Sequence, residues 1–363
     1  MNKVYNNIKK KLENFFIRVP LAEKILFAKH LSMMINAGMT EIESIRLIRK
    51  QIKSRSFGKI LDKIIFDLEG GIFLSVSLKQ FSGIFGEIFI NLIEIGEITG
   101  TLSQNLNHLS AELKKSYQLR SKVVSALIYP AVILAVMAGV GGMLIFFVLP
   151  KIVPMFSNAN IELPMETKIL LAFSGFMLNH YLLVIFGFFI FFIIATFLLM
   201  IPIVKFYYHR FILFLPLIGK IVINYNMTNI SRTLGIFLKS GIKIVEAVLM
   251  SVNITKNSVY KKYLYLAAEE VKKGESFYKS FENNPKIFPP TLTRMIEVGE
   301  KTGKLEENLF YLADFYESEV DEVTKNLSSI LEPILLVVMG SLVGFVVVSI
   351  IRPIYEISQS VTK

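Results

Sequence analysis

The stretch that decides the fold occurs twice. Residues 84–113 read IFGEIFINLIEIGEITGTLSQNLNHLSAEL, and residues 287–316 read IFPPTLTRMIEVGEKTGKLEENLFYLADFY. At a fixed offset of 203, 12 of these 30 positions are identical. The offset also holds outside this stretch, from Leu31 to Pro130 of the first copy. Such a match without a net insertion indicates a tandem duplication, in which each copy is one structural unit.

Three apolar runs account for much of the 53% hydrophobic content. Residues 123–149 and 181–204 carry no charge, and residues 330–351 carry one carboxylate, Glu332. Each run exceeds the roughly 20 residues that a helix needs to cross the hydrocarbon core of a membrane. Any single run could be a buried core helix, but three together predict a polytopic membrane protein. We expect Glu332 at the cytoplasmic interface, at a helix start where a carboxylate is tolerated.

Basic residues predict the orientation of the chain. Lys and Arg number 19 in residues 1–122 and 17 in residues 205–325, against 2 in residues 150–180 and 2 after residue 351. Because basic segments remain on the cytoplasmic side, the N-terminus is predicted inside and the C-terminus outside. Residues 1–20 lack an apolar h-region, so no cleaved signal peptide is expected.

The duplication explains this topology. The first and third apolar runs are equivalent, so the unpaired second run returns the chain to the cytoplasm and the repeats are parallel. The predicted order is a short N-terminal segment (1–20), a cytoplasmic helical bundle (21–122), a transmembrane helix (123–149), an extracytoplasmic loop (150–180), a second transmembrane helix (181–204), a second cytoplasmic bundle (205–329), a third transmembrane helix (330–351) and an extracytoplasmic tail (352–363).

Each cytoplasmic segment is predicted to be a six-helix bundle, so the fold class is all-α. Apolar residues recur at helical spacing, and strand-like alternation is absent. Gly38 ends the first helix, and Thr40 with Glu43 three positions on forms a capping box for the second. No helix breaker lies between Gly100 and the first apolar run, which predicts one continuous helix into the membrane.

The sharpest motif is the duplicated IleGluIleGlyGluIleThrGly segment, which we treat as the candidate site. Its glycines, and its threonine as a cap, suit a helix–turn–helix corner. Its two carboxylates exceed what a turn requires, and four roles stay open: a salt bridge within the bundle, stabilisation of a helix start, a cation site, or contact with a partner. The candidate residues are Glu94, Gly96, Glu97, Thr99 and Gly100 in the first copy and Glu297, Gly299, Glu300, Thr302 and Gly303 in the second.

No catalytic or cofactor-binding constellation is recognisable. GlyGluLysThrGlyLysLeu at 299–305 departs from a phosphate-binding loop in its glycine spacing, in the Leu305 that follows the lysine, and in the lack of a preceding strand. The four histidines are far apart in sequence. We therefore expect a protein that is not an enzyme, with no cofactor and no metal.

Charge also bears on partners. The net charge of +11 divides into +8 for residues 1–122 (19 basic, 11 acidic) and +3 for residues 205–325 (17 basic, 14 acidic). A basic cytoplasmic surface beside a membrane indicates contact with anionic lipid. Nucleic-acid binding is not expected, because no aromatic-basic motif accompanies the scattered cations. Gly340 and Gly344 form a small-residue pair that suits packing between the equivalent spans or a homo-oligomer.

Several segments carry a resemblance to a known family. They include KVVSALIYPAV at 122–132, with Tyr129 and Pro130, and the LeuGluPro at 331–333, with Glu332 and Pro333. Others are VLPKIVPMF at 148–156, LPLIGKI at 215–221, RTLGIFLKSGI at 232–242 and the two corners. With these segments the chain resembles the inner-membrane platform proteins of type II secretion and type IV pilus machines, the GspF/PilC family.

That resemblance implies a scaffold whose cytoplasmic bundles contact a hexameric assembly ATPase. Its membrane part would pass pilin or pseudopilin subunits to a filament, beside other inner-membrane components of the machine. The short segment before the first bundle is similar to competence-type systems. A different class, a parallel-repeat transporter or channel subunit, is the alternative, although the apolar runs lack polar pathway residues. A membrane-anchored enzyme requires catalytic duplicated carboxylates.

Overall fold

The computed structural model describes residues 19–143 and 180–361, together with residues 146, 165, 168, 172 and 175–177. The described residues are mostly helical and contain no strand, which confirms the all-α fold class. Most of the predicted N-terminal segment and most of the predicted loop at 150–180 lie outside the described residues.

The helices of the first repeat follow the predicted order. A one-turn helix is inserted before the corner helix, and the last helix is unbroken as predicted. The bounds are α1 Leu21–Asn36, α2 Glu41–Gln51, α3 Arg55–Glu69, α4 Leu74–Lys79, α5 Ser82–Phe85, α6 Glu87–Thr99 and α7 Leu102–Met143.

The second repeat follows two connecting helices and reproduces this order, except that it has no counterpart of α5. The return helix and its successor precede it, and its last helix is again the longest. The bounds are α8 Tyr181–Met200, α9 Pro202–Phe214, α10 Ile218–Lys239, α11 Ile244–Ile254, α12 Ser258–Lys272, α13 Lys279–Glu282, α14 Pro290–Thr302 and α15 Leu305–Val361.

The described residues form two compact units that do not coincide with the repeats. One unit holds the chain up to Ser121 together with His209–Asp321, and the other holds Lys122–Tyr208 together with the chain from Glu322. Both predicted cytoplasmic bundles thus lie in a single compact unit. Helices α7 and α15 each continue without a break from that unit into the other.

The two repeats build their cores at equivalent positions. Phe57 and Phe85 are buried in the first repeat, with ring centroids 6.1 Å apart. At the same positions of the second repeat, Tyr260 and Phe288 are buried with centroids 5.4 Å apart. The Tyr260 hydroxyl donates a hydrogen bond to the carbonyl oxygen of Ile287 at 3.0 Å, as a buried phenol requires. The duplication therefore preserves the interior of each bundle.

Three described helices are long and apolar enough to cross a membrane: α7, α8 and α15. This agrees with the three predicted spans and with a multi-pass membrane protein. Helices α9 and α10 pass the same test only when taken together, and they are bent by 110°. Because α10 buries most of its length within the compact unit that contains both bundles, we assign it to that unit rather than to a span.

A strained turn makes the bend between α9 and α10. Leu217 has φ +62° and ψ −59°, and the Ile218 amide donates to the Pro216 carbonyl oxygen at 2.7 Å. This is a γ-turn of the rarer, strained hand. A Cβ at Gly219 would lie 2.5 Å from the Leu213 carbonyl oxygen, so only glycine fits there. The LPLIGKI segment at 215–221 is thus a sharp corner.

Candidate functional site

The Glu97 carboxylate caps a helix. It accepts hydrogen bonds from the backbone amides of Leu74 at 2.6 Å and Ser75 at 3.1 Å, which are the first two residues of α4. Amides at a helix start have no partner inside the helix and carry the positive end of its dipole. An ionised carboxylate satisfies both, and such charge-assisted bonds are stronger than neutral ones.

Glu300 makes the same contacts in the second repeat. Its carboxylate accepts hydrogen bonds from the amides of Phe277 at 2.8 Å and Tyr278 at 3.0 Å. These two residues are the equivalents of Leu74 and Ser75 at the offset of the repeat. Of the four roles left open by the sequence, this geometry is that of helix-start stabilisation, with Glu97 on the first two amides of α4 and Glu300 on the two amides just before α13.

The corner glycines have two different jobs. A Cβ at Gly96 would lie 2.7 Å from the Leu102 Cα, and a Cβ at Gly299 would lie 2.8 Å from the Leu305 Cα. Gly96 therefore allows α6 and α7 to approach closely. Gly100, with φ +72°, ends α6 in the left-handed conformation that favours glycine.

Gly303 plays the same part as Gly100 at the end of α14, with φ +71°. The corner threonines do not cap the following helices. The Thr99 hydroxyl donates to the Ile95 carbonyl oxygen at 2.7 Å, and the Thr302 hydroxyl donates to the Val298 carbonyl oxygen at 2.7 Å. Both threonines thus close the last turn of the helix that ends at the corner, which corrects the expectation of a cap.

Glu94 and Glu297 differ between the repeats. Glu94 pairs with Lys79 at 3.2 Å, whereas Glu297 pairs with Lys301 on its own helix at 2.6 Å. The position of Lys79 is occupied in the second repeat by Glu282, which cannot serve as a partner. Both carboxylates are partly exposed, so these pairs add little to stability.

Sequence reasoning missed an asparagine in each corner. The Asn105 side chain donates to the Leu92 carbonyl oxygen at 3.1 Å, and Asn308 donates to the Met295 carbonyl oxygen at 2.9 Å. Each bond joins the helix after the corner to the helix before it. The sequence does mark this residue, because the asparagine is one of the 12 identical positions in the repeated stretch.

A buried arginine joins the two repeats. Arg232 of α10 is 3% exposed, and its Nε lies 2.8 Å from Oε2 of Glu112 in α7 of the first repeat. Its Nη2 lies 2.5 Å from Oε2 of Glu317 and 3.5 Å from Oδ1 of Asp314, both in α15. Lys115 of the first repeat also pairs with Asp314, at 3.0 Å. Arg232 therefore binds one carboxylate from each repeat, Glu112 from the first and Glu317 from the second.

These residues differ between equivalent positions of the two repeats, so the search for identical positions did not identify them. Lys29 stands at the position of Arg232 in the first repeat, where it is exposed and donates to Asn107 at 3.1 Å. Lys114 stands at the position of Glu317. A comparison of the repeats for differences would have found the set.

Burial perturbs titration at this junction. Removal from water raises the pKa of the Glu112 carboxyl, and the Arg232 guanidinium opposes that rise. On the same helix, burial lowers the pKa of His108, and the nearby Lys239 ammonium lowers it further.

The junction also contains a groove. It has a volume of about 200 Å³ and is lined by Ile88 and Ser116 of the first repeat and by Asn226, Asn229 and Lys256 of the second, among others. Among the described residues, no three His, Cys, Asp or Glu side chains are grouped so as to hold a metal ion.

The candidate residues of the spans lie within long helices. Tyr129 and Pro130 are inside α7, and Pro333 follows the start of α15 at the same distance as Pro130 follows the start of α7. The expectation that Glu332 sits at a helix start is wrong, because α15 already begins at Leu305. The role of Glu332, an exposed residue inside that helix, stays a prediction.

Gly340 and Gly344 have open surroundings. No described atom lies within 4 Å of the Cβ position of either residue, leaving aside their own chain neighbours and helix backbone. The two glycines therefore do not pack on an equivalent span within the described part of the chain. Their place in a homo-oligomer stays a prediction.

Comparison with known proteins supports the duplication. The family model described as type II secretion system (T2SS), protein F matches residues 27–150 and again residues 230–353. Both the starts and the ends of the two matches are separated by the offset of the repeat. The family unit is thus one bundle with its following apolar helix.

Individual relatives match along most of their length. Type IV pilus assembly protein PilC of Thermus thermophilus is 30% identical over 361 residues, covering 94% of this chain and 86% of the relative. Type II secretion system protein F of Vibrio cholerae is 29% identical, covering 93% and 83%. The protein transport protein HofC homolog of Escherichia coli is 28% identical, covering 92% and 83%.

Proposed function

The chain belongs to the type II secretion system protein F family, and we propose that it is the cytoplasmic-membrane platform of a type IV pilus, competence pilus or type II secretion machine. It couples a cytosolic assembly ATPase to the insertion of pilin or pseudopilin subunits into a filament. The names of its relatives, which include a pilus assembly protein and a secretion protein, support the machine class.

The observation that carries the proposal is the continuity of two helices. Helix α7 has 42 residues and α15 has 57, and each begins in the compact unit formed by both repeats and runs on into an apolar stretch. At 1.5 Å per residue they extend about 63 and 86 Å. The chain therefore runs from each repeat into its apolar stretch as helix, with no linker segment between them.

Coupling by movement agrees with the chemistry of the corners. The Glu97 and Glu300 carboxylates are engaged by helix amides, which supports a structural rather than a catalytic use. We therefore propose a protein without enzymatic activity of its own. The double variant Glu97→Ala/Glu300→Ala tests this. Loss of helix content in the variant would indicate a structural role, whereas lost function with unchanged helix content would indicate a catalytic one.

The proposed orientation places both repeats in the cytoplasm and the C-terminus outside. It is supported by the excess of Lys and Arg in residues 1–122 and 205–325. Because the chain contains no cysteine, single cysteines report sidedness without background. In intact cells, we expect an impermeant maleimide to label Lys363→Cys but neither Lys53→Cys nor Lys256→Cys.

Gene deletion tests the function. We expect loss of filaments, while pilin levels and ATP hydrolysis by the assembly ATPase stay unchanged, and a plasmid copy should restore filaments. Normal filaments in the deletion strain would overturn the proposal. The transporter or channel alternative has less support, because Glu332 is the single acidic or basic residue in the three predicted spans. Substrate or ion flux through purified protein in liposomes would favour it.

A further inference from the structure

Helix α9 has an exposed row of large apolar side chains, which we call the α9 stripe. It consists of Ile203, Tyr207, Phe211 and Phe214, whose exposed fractions are 69%, 63%, 64% and 54%. Residues three and four positions apart are neighbours on one face of a helix, so these four side chains form one continuous row. Single exposed apolar residues are ordinary on a protein surface, whereas a contiguous group of this kind marks an interaction site.

Helix α9 is separate from both of its neighbours. Ile201 lies between α8 and α9 with φ −71° and ψ 122°, an extended conformation that interrupts the helix. At the other end, the strained turn at Leu217 separates α9 from α10. The stripe is therefore neither the end of a spanning helix nor the beginning of the buried α10.

Another face of α9 is attached to the second repeat. The backbone amide of Ser258, the first residue of α12, donates a hydrogen bond to Nδ1 of His209 at 3.0 Å. Leu213, one turn further along α9, is only 7% exposed. These contacts hold the helix in place, and they leave the stripe on its exposed side.

The place of α9 in the chain indicates a membrane surface. Helix α8 has 20 residues, and at 1.5 Å per residue it extends about 30 Å, the thickness of the hydrocarbon core. Because α9 begins directly after Ile201, it begins where a spanning α8 leaves that core. The exposed Tyr207 and Tyr208 suit this depth, since tyrosine concentrates where membrane meets water. A lipid surface is therefore the occupant that the stripe fits.

The charge of this region selects the kind of lipid. Arg210 borders the stripe three residues after Tyr207, and Lys205 lies in the first turn of the same helix. Both cations are exposed, and neither makes an ion pair within the part of the chain that the structure describes. The sequence has no Asp or Glu between Glu166 and Glu246. An exposed apolar row with unopposed cations beside it complements anionic lipid headgroups.

We propose that α9 is an interfacial helix that binds anionic lipid, with the α9 stripe at the boundary of headgroups and acyl chains and Arg210 on a lipid phosphate. The net charge of the chain predicted contact with anionic lipid without identifying the residues that make it. Because His209 of the same helix is bonded to the second repeat, lipid bound at α9 attaches that repeat to the membrane surface. This site requires only a membrane protein and does not depend on the proposed function.

A depth measurement in a bilayer tests the stripe. The chain has no cysteine, so Tyr207→Cys and Phe211→Cys each carry a single fluorescent label, in the full chain in nanodiscs of phosphatidylcholine and phosphatidylglycerol. Tyr265→Cys is the matched control, because Tyr265 is an aromatic residue of α12 that is 51% exposed. At a depth of roughly 5 to 10 Å, we expect nitroxide-labelled lipid to quench the two α9 labels at least about threefold more strongly than the control.

Iodide in the water provides the opposite readout. We expect it to quench the two α9 labels at least about threefold less than the control label, because the boundary region excludes the ion. Equal quenching at all three positions would overturn the inference. A label on α9 that neither lipid nor iodide quenches would also overturn it, since a second copy of the chain or another protein would then cover the stripe.

Variation of the lipid charge tests the preference for anionic lipid. We expect quenching of the label at position 211 by nitroxide-labelled lipid to increase with the fraction of phosphatidylglycerol. Arg210→Gln should raise the fraction needed for half of this increase by about fivefold, which corresponds to the loss of one cation at an anionic surface. Arg294→Gln removes an exposed cation of α14 and should leave that fraction unchanged. Quenching that is independent of phosphatidylglycerol, or equal responses of the two variants, would overturn anionic lipid as the ligand.

Discussion

Arg232 and Glu112 are bound to each other across the two repeats, with the guanidinium Nε 2.8 Å from the carboxylate Oε2. They are far apart in the chain, and both are largely buried. A buried charge is tolerated only when it is paired, and the cation paired with Glu112 comes from the other repeat. The two repeats therefore form one compact unit rather than two independent ones.

Replacement of Arg232 by methionine should strongly lower the unfolding free energy. Arg232→Met leaves the buried carboxylates of Glu112 and Glu317 without their cation, which costs about 3 to 5 kcal/mol of unfolding free energy. Guanidinium denaturation of the detergent-solubilised chain, followed by far-UV circular dichroism, measures it. Lys29→Met changes the equivalent exposed cation of the first repeat and should cost less than about 0.5 kcal/mol. Equal losses in the two variants would contradict the pairing.

The helix-capping glutamates should matter equally in both repeats. Glu97→Ala and Glu300→Ala each remove two hydrogen bonds from helix amides, and we expect each to lower the unfolding free energy by about 1 to 2 kcal/mol. Glu94→Ala removes a partly exposed ion pair and should cost less than about 1 kcal/mol. Thermal unfolding of the three variants in one detergent tests this. A loss at only one of the two capping positions would speak against a shared role.

Because the helices are close together at the corner, adding a single methyl group there should lower the unfolding free energy. Gly96→Ala and Gly299→Ala place a Cβ within 2.8 Å of a Cα on the next helix, and forcing them apart should cost about 1 to 3 kcal/mol. Gly83→Ala is the control, because its Cβ meets nothing within 4 Å and its φ is not positive. Thermal unfolding should leave that control unchanged. Similar melting temperatures for all three variants would exclude close approach as the reason for glycine.

His108 predicts a loss of stability in mild acid. Burial lowers its pKa below the ordinary 6.5, with a further contribution from Lys239. As the pH falls below 6.5, the unfolded chain takes up this proton before the folded chain does, so the unfolding free energy decreases. His108→Gln should flatten that dependence as the pH falls below 6.5, whereas His30→Gln serves as the control. An unchanged pH profile in the His108 variant would contradict the shift.

The sequence predicts those parts of the structure that depend on interactions between residues close together in the chain. Thr40 and Glu43 are close neighbours in the chain, and the capping box expected from their spacing is present. The continuous helix from the corner into the first span is also confirmed. The role of Glu97 stayed open among four alternatives because its amide partner Leu74 is 23 residues away, a separation that no spacing rule covers.

Other features required the three-dimensional structure. Arg232 looked like an ordinary cation, since nothing local to it in the sequence identifies Glu112 as a neighbour. Glu332 was expected at a helix start because the apolar run was taken as a separate helix, whereas α15 begins at Leu305.

The pairing of Arg232 with Glu112 also bears on how the protein is made. Glu112 leaves the ribosome long before its cation, and Glu317 follows only after that cation. Translation proceeds at about 5 to 20 residues per second, so the ~120 residues from Glu112 to Arg232 take roughly 6 to 24 seconds to synthesise. During this time Glu112 has no Arg232 to pair with. Two predicted spans are translated during this interval. The buried ion pair of the first repeat is therefore completed only after both of these spans and the start of the second repeat have been made.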